Sequence, residues 1–282
     1  MRPKIILLSI SISALFVTRA AAQDKPLDLS LKLYGGYGLF NPGTETYVDA
    51  TSNITGAFNK YKYGLGSGPH AGAGVSLKLN DVISVGLDAD FLTGTKTFPA
   101  NTDGDTVIAS IRSKYSVFSL IPNVSFNLYA NPRYSVFNRM GIITAVITKV
   151  EFDHNTASGA SDNIQFTGTE IDKYSYGLNL GFQDAFGIRF NITKNIKIFG
   201  ELSGYYLPVN PHSETTANTI TTGGNTTYVN EKLTFLGGNN TNYTGTDQIK
   251  GNTFTDNESY TPTPQHIVSI GITAGLIIDL KN

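Results

Sequence analysis

Apolar side chains fall on every second residue in eight stretches of this chain, and the residues between them are mostly small or polar. The last stretch is the cleanest. Val268, Ile270, Ile272, Ala274, Leu276, Ile278 and Leu280 alternate with Ser269, Gly271, Thr273, Gly275, Ile277 and Asp279. A period of two places the first set on one face of a strand and the second set on the other. Near the start, Leu27, Leu29, Leu31, Leu33, Tyr37 and Leu39 oppose Asp28, Ser30, Lys32 and Tyr34. Next, Ala71, Ala73, Val75, Leu77 and Leu79 oppose His70, Gly72, Gly74, Ser76 and Lys78, and Ile83, Val85, Leu87, Ala89 and Phe91 oppose Ser84, Gly86, Asp88 and Asp90. Phe118, Leu120, Val124, Phe126 and Leu128 share a face that Pro122 interrupts. A proline removes a ladder donor and predicts a local distortion.

The remaining three stretches are less regular. From Tyr134 to Glu151 both faces carry apolar residues; Arg139 and Gly141 are assigned inward, and Met140, Ile142 and Val146 outward. Tyr176, Leu178, Leu180, Phe182, Phe186, Ile188 and Phe190 are assigned outward, with Asn179, Gln183 and Arg189 inward. Asp184 breaks that outward face, and the pattern gives no reason for it. Ile198, Leu202 and Tyr206 point outward, with Lys197, Glu201 and Ser203 inward.

The connections alternate in length. Asn80–Asp81, Ala130–Arg133 and Ile192–Asn195 are short; residues 41–69, 92–114, 152–173 and 208–265 form long connections rich in Asn, Thr, Gly and Ser. Only Thr227–Phe235 within them carries the period, and whether it adds a further hairpin is left open.

Composition narrows the class. Arg2 and Lys4, the apolar run Ile5–Phe16 and the small residues Ala20–Ala22 read as a secretory signal peptide over residues 1–22. Residues 23–282 are then the folded domain. No later apolar run reaches the length of a transmembrane helix. The chain has no cysteine, which excludes disulfides and thiolate chemistry. The leader holds three of the 21 basic residues, leaving 18 against 22 acidic ones, so the remainder carries about −4 and offers no sign of a nucleic-acid partner.

Which solvent meets the apolar face decides the fold. The residues between the apolar ones are Gly, Ser, Asn and isolated charges, which suit a narrow packed lumen. Aromatic residues gather near strand ends: Phe40, Phe91, Tyr115 and Tyr206 toward one rim, Phe126, Tyr129, Tyr134 and Phe190 toward the other. Such girdles, with strictly alternating long and short connections, mark a membrane barrel. The expectation is an all-β fold: a transmembrane antiparallel up-and-down β-barrel of about eight strands, with long external loops and short periplasmic turns. Inside it, Lys32, Lys78, Asp88, Asp90, Arg139, Arg189 and Glu201 are expected to form a lumen charge network, because buried charges must pair.

The C-terminal "TAGLIIDL" resembles the assembly signal of the small outer-membrane β-barrel family of Gram-negative bacteria, the OmpA/OmpX/OmpW-like group. The signal maps onto Thr273, Gly275, Ile278 and Leu280. The family's aromatic positions are aliphatic here, and Lys281 and Asn282 extend past the usual terminal aromatic. The resemblance implies an outer-membrane location among lipid and lipopolysaccharide, insertion by the barrel assembly machinery, no cofactor and no enzymatic activity. The expected role is to anchor long surface loops for envelope integrity, adhesion or contact with an extracellular ligand or surface partner.

Two other classes remain open: a narrow channel for small apolar molecules, and an outer-membrane hydrolase acting on protein or lipid A. For the hydrolase, Asp88 with Asp90, and Asp153 beside His154 with His212 in another loop, are the candidate water-activating groups. His70 with Ser76 lies too far apart along a strand, and His266 with Ser269 points oppositely. "NTDGD" (Asn101–Asp105) spaces oxygens as calcium loops do but lacks the closing Glu. "YGGYG" lies inside a strand, where glycine serves close packing rather than a phosphate.

Overall fold

The computed structural model describes residues 28–40, 45–49, 59–63, 65–98, 102–103, 106–107, 110–161, 164–222, 225–236, 240–247, 252–256 and 265–280. The expected signal peptide lies outside them.

Eight long strands build the wall: β1 (Asp28–Phe40), β2 (Pro69–Lys78), β3 (Ile83–Phe98), β4 (Ser110–Ala130), β5 (Tyr134–Ser161), β6 (Asn179–Asn191), β7 (Ile196–Val209) and β8 (Gln265–Leu280). Each pairs antiparallel with the next, and β8 pairs back onto β1. Closure is what hydrocarbon demands, because an open edge there leaves peptide groups unsatisfied at several kcal/mol each.

The three short turns share one device. Asn80 Oδ1 accepts from Val82 N and Ile83 N, Asn131 Oδ1 accepts from Arg133 N and Tyr134 N, and Thr193 Oγ1 accepts from Asn195 N and Ile196 N. In each, a side chain at the first position satisfies the two backbone donors that the reversal leaves free.

Among the described residues the expected outward positions are outward, Tyr176 excepted. Leu29, Leu31, Leu33, Leu87, Met140, Ile142, Phe182, Phe186, Leu202, Ile270, Ile272 and Leu276 are all exposed on the barrel's outside. Both apolar faces of β5 now have an explanation. Pairing with β4 shifts between Phe118↔Ile147 and Ser119↔Ala145, and this bulge turns Val146 and Ile147 outward together. Ile143 and Ala145 meanwhile line the inside. Asp184 stands outward near the middle of the apolar run from Leu178 to Ile192, and Asn138 of β5 donates to its Oδ1 at 2.8 Å. At Pro122 the β4–β5 ladder stops at Leu120↔Thr144 and resumes at Asn123↔Gly141. The strands stay close across that gap: a Cβ added to Gly141 would lie 2.7 Å from Ile121 Cγ2.

Tyr129, Tyr134 and Phe190 form a ring contact chain at the turn end, with centroids 5.6 and 6.3 Å apart. At the loop end, Phe91 and Tyr206 face outward as expected, whereas Phe40's side chain lies outside the described set. Two aromatic assignments are corrected. Tyr115 is inside, 4% exposed, because it shares parity with Val117 and Ser119. Tyr176 is also inside, at 6%, because the ladder breaks at Gly177–Leu178 and the alternation restarts at Asn179.

The long connections carry more strand than the sequence pattern predicts. β5 runs on to Ser161 and pairs with Ile164–Tyr176, which pairs with Pro211–Thr222; Asn225–Leu236, Asn240–Asp247 and Asn252–Asp256 follow in order. Thr227–Phe235 is thus part of a hairpin. The barrel wall and this outer sheet are one continuous hydrogen-bonded surface.

The interior divides in two. Toward the loop end, Leu65, Leu92, Val117, Ile121, Ile143, Val150, Leu207, Val209 and Ile267 pack with Tyr115, Tyr176 and Tyr205 into one cluster. Leu65 enters from the connection before β2. Its carbonyl accepts from Val268 N, and Gly68 exchanges backbone hydrogen bonds with Gly38. Toward the turn end the interior is mostly polar and charged, with the rings of Phe137 and Phe199 packed among those groups.

Candidate functional site

The charges that meet in the lumen come from alternate strands of one ring. Lys32 is on β1, Asp88 on β3, Arg139 on β5 and Glu201 on β7. Asp88 Oδ2 accepts from Lys32 Nζ at 2.5 Å and from Arg139 Nη1 at 2.9 Å. Arg139 Nη1 also donates to Gln183 Oε1 at 3.2 Å, and Nη2 donates to Glu201 Oε1. Asp88, Arg139 and Glu201 are 2%, 5% and 6% exposed. Inside a protein such a cluster is tolerated only because each charge is paired. Arg139 Nε and Glu201 Oε2 nevertheless have no partner among the described residues.

The other expected members lie elsewhere. Asp90 joins His70, not a lysine, with Nδ1 to Oδ1 at 3.1 Å. His70 Nε2 in turn meets Thr273 Oγ1 at 3.1 Å. This acid–imidazole–hydroxyl line crosses over β1 at Gly36, where a Cβ would stand 2.2 Å from His70 Nε2. Gly38, two residues on, leaves room for the Leu65–Gly68 segment, since a Cβ there would stand 2.3 Å from Gly66 O. Gly36 and Gly38 of "YGGYG" therefore serve close approach inside the barrel, whereas Gly35 faces out.

Lys78 is corrected to the exposed rim. It ends β2, donates to Asp81 at 2.7 Å and holds that carboxyl below the ordinary carboxylate range. Arg189 contacts no carboxylate. It donates Nη1 to Asn127 Oδ1 and Nη2 to Ser125 Oγ, both at 2.8 Å, and lies 3.8 Å over the Phe137 ring.

One lumen pair escaped the sequence reading. Asp279 accepts from Lys197 at 2.7 Å and from Ser30 Oγ at 2.8 Å. Its inward parity was visible in the last strand. Of the assembly residues, Thr273 faces the lumen, whereas Ile278 and Leu280 face out, as the alternation requires.

Among the described residues, cavities open at two levels of the lumen. A polar chamber of about 330 Å³ runs from the charge cluster toward the turns, lined by Ser30, Ser125, Asn127, Arg189, Lys197 and others. A small one of about 20 Å³ lies beside His70, Asp90, Ser203, Tyr205 and Ser269. That is space for a single water.

The remaining candidates are not brought together among the described residues. Asp153 lies on β5, but the side chains of His154 and His212 are outside the described set, as is Asn101 of the calcium-like loop. His266 stacks on Tyr206 at 6.0 Å. Among the described residues no three metal-binding side chains gather. Farther up, beyond the lipid-facing band, Lys114 donates to Glu151 at 2.8 Å and holds its carboxyl below the ordinary range.

The closed antiparallel ladder, the outward apolar band and the filled, charge-crossed lumen define an eight-stranded transmembrane β-barrel. No protein-family model and no curated protein matches the sequence. Among solved structures, the chain is similar to CarO2 of Acinetobacter baumannii, at 12% identity and TM-score 0.40, covering 90% of this chain and 100% of that one. It is also similar to a major outer membrane protein from Thermus thermophilus, at 11% identity and TM-score 0.41, covering 89% and 99%. A third is the outer membrane protein AlkL, at 10% identity and TM-score 0.35, covering 93% of each chain. The barrel assignment itself rests on the ladder and the outward band.

Proposed function

We propose that this chain is a non-enzymatic, non-conducting barrel of the outer membrane whose outer sheet is a contact surface for an extracellular ligand or surface partner. The supporting observation is the pair of barriers stacked along the lumen. The Lys32–Asp88–Arg139–Glu201 cluster crosses it, and above that the Leu65 segment and its apolar neighbours fill it. An ion on the axis must break paired buried charges and then cross a dry layer. β5 carries the wall directly into the outer sheet, so the barrel serves that sheet as a rigid base. Reconstituted in planar bilayers, the protein is expected to give no stepwise conductance above bare lipid; steady unitary currents would overturn the reading. Its environment is outer-membrane lipid and lipopolysaccharide, and Thr273, Gly275, Ile278 and Leu280 are its handle for the assembly machinery.

A hydrolase reading finds little support. Asp88 and Asp90 are each engaged by bases and buried beneath the apolar layer. His70, which meets the Thr273 hydroxyl, lines a cavity of only about 20 Å³, too small for a substrate. Cleavage of peptide or lipid A that disappears in an Asp88→Asn/Asp90→Asn variant would restore it. A conduit for small apolar molecules draws on the apolar lining of the loop half. It needs an exit through the wall, and the close β4–β5 contact at Pro122 offers none.

A further inference from the structure

Arg189 differs from every other base that lines the turn-end chamber. Lys32 is matched by Asp88, Arg139 by Asp88 and Glu201, Lys78 by Asp81, and Lys197 by Asp279. Arg189 has two neutral acceptors, Asn127 and Ser125, and an aromatic ring beneath it. A guanidinium carries five N–H donors. Two are used here; the other three have no acceptor among the described residues, and the Nε donor is fully enclosed. These contacts fix the plane of the guanidinium, and no carboxylate touches it among the described residues; Glu201 and Asp279 act on its charge only at longer range.

The chamber beside it is large enough for a small organic molecule at about 330 Å³. The charge cluster closes its inner end, and turn residues such as Asp81, Asn131 and Asn191 lie along its other end. A held, half-buried guanidinium beside a polar chamber is a fork awaiting a bidentate oxyanion. We infer that the turn-end chamber binds a small oxyanion, a carboxylate or a phosphate group, with Arg189 as its charge partner. The ligand enters from the turn side, opposite the outer sheet, so this site is independent of the surface contact proposed above.

The test uses the full chain in detergent micelles with isotope-labelled arginine. The Arg189 guanidinium resonance is assigned by its loss in Arg189→Gln. Sodium acetate and sodium phosphate are titrated separately, against sodium chloride at matched ionic strength. A saturable shift of the Arg189 resonance is expected, with the Arg139 resonance unmoved and no response to chloride. Saturation by acetate alone identifies a carboxylate site, and by phosphate alone a phosphate site; either supports the inference. Arg189→Gln is expected to weaken binding at least ~10-fold by calorimetry. Should that variant fail to fold, Asn127→Asp keeps the arginine and supplies an internal counter-charge at nearly unchanged shape. It is expected to abolish binding. No saturable shift with either anion, an equal drift of all arginine resonances, or undiminished binding in Asn127→Asp would overturn the site and leave a chamber of water.

Discussion

The two halves of the lumen sit behind the same lipid-facing wall yet are built on opposite principles. The turn half is held by charges that complete one another, Lys32 with Asp88 and Arg139 with Asp88 and Glu201. The loop half is held by Leu65, Val117, Ile143, Leu207 and Ile267, which need no particular partner. The membrane imposes neither solution, because it touches only the outside. The difference follows from what each half adjoins: a polar chamber on one side, and on the other a chain segment folded in from a long connection. Loss of one member is therefore severe in the turn half, where it strands a buried charge, and graded in the loop half, where it leaves a void.

The largest effect that sharpens this contrast is expected from Arg139→Met. It leaves Asp88 with Lys32 alone and Glu201 with no base in contact, and should destabilise the barrel by about 3–5 kcal/mol. The midpoint of urea unfolding in detergent, read by heat-modifiable gel migration, measures it. Adding Glu201→Leu should recover part of that loss, since the stranded acid is gone; a double variant no better than the single one breaks the contrast. Next in size, Leu207→Ala in the loop half should cost about 2–4 kcal/mol, the range for a void left by a fully buried leucine. No second substitution should be able to rescue it by charge. The smallest effect lies above both halves. The Glu151 carboxyl is held low by Lys114, so the ion pair's contribution is present above the ordinary carboxylate pKa and fades as pH falls through the lowered value. It is a surface pair, about 0–1 kcal/mol. Lys114→Gln should flatten the acid side of the stability profile slightly, and an unchanged profile would show the pair to be silent.

The outward face was legible because lipid admits few exceptions: Leu31, Phe186, Leu202 and Ile272 could be placed from alternation alone. Asp184, a charge on that face, became intelligible only when pairing set Asn138 of the neighbouring strand beside it. The inward charges were legible as a set but not as pairs. Parity places Asp90 inside, yet only the stagger of β2, β3 and β8 brings His70 between it and Thr273. Lys78 has inward parity too, but its strand ends at the rim, so its partner is Asp81 of the turn. The apolar half of the lumen was hidden for a physical reason. Ile143, Val117 and Tyr115 carry the same chemistry as lipid-facing residues, and hydrophobicity does not say which side of a wall is dry. Apart from Thr227–Phe235, the strands of the outer sheet were missed because period two records a buried face, and the Thr- and Asn-rich runs of residues 164–176 and 211–256 show little of it.

β5 runs 28 residues without interruption, pairing with its barrel neighbours below and with Ile164–Tyr176 above. A tug on the outer sheet by anything it holds is thus transmitted down a single strand into the ring. Loaded lengthwise, the ladder meets that force in shear, with many hydrogen bonds sharing it at once, instead of peeling apart rung by rung. A tether of this design resists extraction in proportion to its length rather than to the strength of its weakest link.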